Sequence, residues 1–76
     1  MNKIRRKALG EIRDRLEVII GDIGNLRDEE QDYIDNMPEN MQGGERAAAA
    51  DEAVNQMEQA IGSIEDANSA IDEATV

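Results

Sequence analysis

Seventy-six residues make one domain at most, and a core of that size is too small for comfortable stability unless a staple or an association supports it. Neither Cys nor His occurs, which excludes disulfides, the commonest metal ligand and the usual general base. With no Phe or Trp, one Tyr, 34% charged residues and a net charge of −10, the composition fits an acidic disordered chain or an all-α fold; regular apolar spacing decides for helix.

The opening Met1-Asn-Lys-Ile-Arg-Arg-Lys7 has the charge of a signal-peptide start, but neither an apolar segment nor a small-residue cleavage site follows. The longest apolar candidate, Val18 to Ile20, stops at Gly21 and Asp22, far short of the ~20 residues of a membrane span. A cytoplasmic protein without membrane contact is expected.

A first helix is predicted over 3–35. Leu9, Ile12, Leu16, Ile19, Ile23, Leu26, Glu30, Tyr33 and Met37 follow one another in alternating steps of three and four, the seam of a coiled-coil-like helix. Residues 36–44 form a hinge, because Pro38 disfavours helix at the residue before it and Gly43-Gly44 supplies permissive backbone. A second helix over 45–74 repeats the rhythm with Ala47, Ala50, Val54, Met57, Ile61, Ile64, Asn68 and Ile71. So short a connection makes the helices antiparallel neighbours.

In an antiparallel pair the facing residue numbers share a constant total, and a total of 80 matches the two seams throughout. Leu9 then faces Ile71, Leu16 faces Ile64, Ile23 faces Met57, Glu30 faces Ala50, and bulky Tyr33 meets small Ala47. Ala53, Ala60, Ala67 and Ala74 form a second stripe beside the seam, wider than one partner helix covers. It is either a solvated run of good helix formers or an interface with another chain, and a homo-oligomer is expected.

Charge divides along the chain, with +4 over residues 1–15, −6 over 16–36 and −8 from 37 onward. Folding at a total of 80 sets the basic start beside Asp66, Asp72 and Glu73, while Asp28, Glu29, Asp51 and Glu52 make an acidic girdle near the hinge. Hairpins stacked in parallel would crowd those girdles, so the expected assembly is an antiparallel dimer of hairpins, a four-helix bundle.

Catalysis finds no support. A nucleophile would have to be Ser63 or Ser69, neither with a base, so no enzyme and no cofactor are expected. The run Asp28 to Asp35 lacks the spacing of a calcium loop and reads as a solvated face, leaving at most weak cation association and no metal site. Direct nucleic-acid binding is disfavoured by the acidic total and the missing aromatics. The most functional-looking segment is the hinge, where Tyr33, Asn36, Asn40, Gln42 and Arg46 surround Gly43 and Gly44 at a helix start. That arrangement suits a small anion such as a nucleotide, with Arg46 on phosphate and Tyr33 on a base, but ordinary capping by Asn36 and Asn40 is the favoured reading.

The opening Met1-Asn-Lys-Ile-Arg-Arg-Lys-Ala-Leu9 and the hinge Tyr33-Ile-Asp-Asn-Met-Pro-Glu-Asn-Met-Gln-Gly-Gly-Glu-Arg46, followed by an Ala/Glu-rich helix, resemble a group of small uncharacterised proteins of phages, prophages and mobile elements, over nearly the whole chain. Members commonly carry Ser where Gly44 stands here, so a capping hydroxyl is missing. The resemblance implies a phage-encoded accessory protein, an anti-defence factor that covers a host defence protein or sequesters a nucleotide signal. A structural or scaffold oligomer is the third reading.

Overall fold

The computed structural model describes all 76 residues as two α-helices, α1 (Lys3–Asp35) and α2 (Glu45–Thr75), folded into an antiparallel hairpin 59 × 15 × 12 Å in extent. The helix bounds match the sequence reading, with α2 one residue longer. No helix is long and apolar enough to cross a membrane.

Local chemistry sets each boundary. The Asn2 side chain accepts a hydrogen bond from the Arg5 amide at 2.8 Å, capping α1. At the other end the Asp32 carbonyl accepts from both the amide and the side-chain Nδ2 of Asn36, at 3.0 and 2.8 Å. Pro38, extended at φ −57° and ψ 146°, then turns the chain into a single 3₁₀ turn, Glu39–Met41. Gly44 caps α2 in extended conformation without a side-chain hydrogen bond, and no glycine adopts a positive φ.

The α2 seam is the predicted one: Ala47, Ala50, Val54 and Asn68 are buried, and Met57, Ile61, Ile64 and Ile71 half-buried. The α1 seam is corrected. Leu9, Leu16, Ile23, Glu30 and Met37 turn inward as predicted, but between them Arg13, Ile20, Arg27 and Ile34 are covered rather than Ile12, Ile19, Leu26 and Tyr33. Those four are 37%, 43%, 58% and 47% exposed. Two heptad rows overlap on α1, and the one that wins contains arginines whose aliphatic stems cover apolar surface while their charged heads reach acids.

The register is corrected too. Both polar side-chain contacts between the helices, Arg13 with Asp72 and Asn68 with Glu17, join residues whose numbers total 85. The burial rows interlock at 84, placing Met37 beside Ala47, Ile34 beside Ala50 and Leu16 beside Asn68. Relative to the expected total of 80, the helices have slid by about one turn.

Full burial is uneven along the rod. Met37, Ala47, Ala50 and Val54 gather at the hinge end, where small alanines permit close helix approach, and Asn68 alone is buried toward the open end. Its Nδ2 donates to Glu17 Oε1 at 3.3 Å, but its Oδ1 is buried without a partner. Replacing a half-satisfied amide by an apolar side chain removes that desolvation penalty, so Asn68→Leu is expected to stabilise the hairpin by about 1–2 kcal/mol. Thermal unfolding reads this as a midpoint several degrees higher; a lower midpoint would mean the amide is worth more than its unmet oxygen costs.

Candidate functional site

The hinge is built by backbone geometry. Gly44 N–H donates to the Met41 carbonyl at 3.1 Å and Met41 N–H to the Pro38 carbonyl at 2.8 Å, closing the 3₁₀ turn on itself. Gln42 Nε2 donates to the Met37 carbonyl at 3.1 Å, and Asn36 caps α1. The anion site expected at Gly43 and Gly44 is therefore incomplete: the Gly44 amide is already engaged. Tyr33, Asn40, Gly43 and Arg46 are exposed around the turn, and Arg46 makes no ion pair. No enclosed hollow forms there; Lys3, Ile4, Arg6 and Lys7 at the start of α1 frame only an open, exposed turn of helix.

Charge is the stronger feature. From residue 27 to 58 ten acids stand against Arg27 and Arg46 alone, whereas residues 1–10 carry four cations and no acid. Asp28, Glu29, Asp51 and Glu52 are all exposed, as a girdle requires. They are not level in the way the sequence suggested: in the observed register Glu52 lies beside Asp32 and Asp28 beside Gln56, so the acids spread along the hinge half. Asp28 is paired with Arg27 at 3.1 Å, and Glu52 accepts from Gln56 Nε2 at 2.8 Å. No group of His, Cys, Asp or Glu is close enough to hold a metal ion.

At the open end a polar cluster that sequence reasoning missed ties the helices together. Arg13 Nε lies 2.6 Å from Asp72 Oδ1, and Arg13 Nη2 is 3.9 Å from Glu17 Oε1, the oxygen that also accepts from Asn68. Hydrogen bonding to Asp72 and then that carboxylate's charge raise the Arg13 pKa. The charge is the sounder cause, since the Nε–H has no well-directed acceptor despite the short distance. The nearness of Asp72 to the basic segment was legible in the sequence; that Arg13 would enter the seam was not.

Ala53 is half-buried, and Ala60, Ala67 and Ala74 are exposed beside the α2 seam. Ser63 and Ser69 are exposed. No known protein family, curated protein or solved structure matches the chain.

Proposed function

We propose that this chain is a non-enzymatic binding protein whose acidic hinge half engages a basic surface on another protein. The observation that carries the reading is the segregation of charge on a thin rod: ten exposed or half-exposed acids crowd its hinge half with only Arg27 and Arg46 among them. Like charges held on a rigid scaffold project a coherent field, which steers a complementary partner and rejects acidic ones. Together with the resemblance to phage accessory proteins, this favours a host defence component as the partner.

Binding of that kind is screened by salt. A partner captured from host lysate by the tagged chain should bind at least about tenfold more weakly at 500 than at 50 mM salt, and Asp51→Lys with Glu52→Lys should weaken it similarly at low salt. Affinity indifferent to both changes defeats the electrostatic reading. Nucleotide trapping at the hinge has less support, because Asn36, Gln42 and the Gly44 amide already serve the turn.

A further inference from the structure

We propose that a second copy of this chain covers the exposed apolar face of the hairpin, running antiparallel so that α1 packs on α1 and α2 on α2. The inference rests on the apolar rows and does not depend on that reading, although the packing also brings cations of the second copy to the acidic hinge half.

Ile12, Ile19, Leu26 and Tyr33 each immediately precede a seam residue of α1, and Ala53, Ala60, Ala67 and Ala74 each immediately precede a seam residue of α2. Reversing one helix of a pair brings like heptad positions to the same side of the seam, so the two stripes lie side by side on one face. Large side chains line one half of it and methyl groups the other. The adjoining row of α2 is Ala49, Gln56, Ser63 and Ala70, again uncharged, in a chain that is 34% charged. The acids from Asp51 to Glu73 occupy other rows of the helix.

Both stripes span 21 residues, about 32 Å of helix, and their midpoints lie within about 3 Å of the same level in the observed register. A two-fold axis across the face at that level therefore lays the patch on itself, the self-complementary geometry of a closed dimer. Ile12 then opposes Tyr33 of the second copy and Ile19 opposes Leu26, while on the neighbouring row Arg15 comes beside Glu29 at either side of Asp22, which meets its own copy at the axis. The same rotation lays the four cations of residues 1–10 over the other copy's acidic hinge half; parallel stacking would instead press the two acidic halves together. A face about 32 Å long and two helices, about 20 Å, wide buries about 600 Å² per copy, which reaches the lower range of specific interfaces.

Sedimentation equilibrium of the full chain should give a dimer at micromolar concentration; a monomer at 100 µM overturns the proposal. Leu26→Glu, which buries an unpaired carboxylate in the face, should weaken association at least about 100-fold. An unchanged dissociation constant would count against it. Should that variant unfold, the charge pair still decides: Arg15→Glu should weaken the dimer about tenfold and Arg15→Glu with Glu29→Arg should restore it, whereas absence of rescue excludes this packing. Nitroxide labels at Glu39→Cys, on the hinge and off the face, should lie about 50 Å apart by the helical rise. Labels closer than about 25 Å would show hinges at one end, a geometry the proposal forbids.

Discussion

Ala50→Glu is expected to separate the two helices. Ala50 is 3% exposed, at the level where Ile34 of α1 approaches α2 and one turn from the half-buried Glu30. A carboxylate there has no room, no cation within a turn on the facing rows and a like charge nearby, so it must either lose its hydration or force the helices apart. Burial of an unpaired charge costs about 3 kcal/mol or more. Only five residues of the 76 are buried, and a core so small rarely supplies more than about 3–5 kcal/mol. The cooperative thermal transition seen by circular dichroism should therefore be lost or fall by tens of degrees. A variant melting within a few degrees of the parent would mean that the hinge-end alanines do not form the close contact described.

Adjacent isoleucines should behave differently. Ile20 sits in the observed seam and Ile19 outside it, 43% exposed, although the two are alike in chemistry and in helix propensity. Ile20→Ala is expected to destabilise the folded hairpin by about 2 kcal/mol, near the lower end for a large-to-small change because Ile20 is only half-covered. Ile19→Ala should cost well under 1 kcal/mol in samples dilute enough to be monomeric, since its side chain touches mainly solvent there. Denaturant titrations of the two variants at matched concentration read the difference directly. Equal losses, or the reverse order, would restore the seam that the sequence pattern favoured.

That pattern was informative where only one answer was available. On α2, Ala47 through Ile71 form one row, apolar but for Asn68, flanked by acids on one side and by the alanine stripe on the other, so its inward face was legible. Pro38 and the glycine pair located the turn, and the helix bounds followed from the rhythm on either side. On α1 two rows share Leu9, Leu16, Ile23, Glu30 and Met37 and differ only in what lies between. Counting apolar residues chose Ile12, Ile19, Leu26 and Tyr33, because it treats Arg13 and Arg27 as charges and ignores the three methylenes that each carries toward Asp72 or Asp28. The register failed for a related reason. Sliding an antiparallel pair by one turn matches apolar rows again, so periodicity cannot choose between neighbouring totals, and the contacts of Arg13 with Asp72 and Glu17 with Asn68 do. At the candidate site, the acidic girdle was visible as charge, but the engagement of the Gly44 amide depends on the path of the 3₁₀ turn, which composition does not encode.

The concentration of tightly covered residues beside the turn makes the hairpin behave as a clasp fastened at one end. Amides of α1 near Leu9 and of α2 near Ile71 should exchange with solvent through shallow local openings, while those around Ile34 and Ala50 exchange only when the whole pair comes apart. Fluctuations then travel inward from the tips, so any molecule that grips the tips acts on breathing of the rod, and one that grips the turn meets a preformed shape.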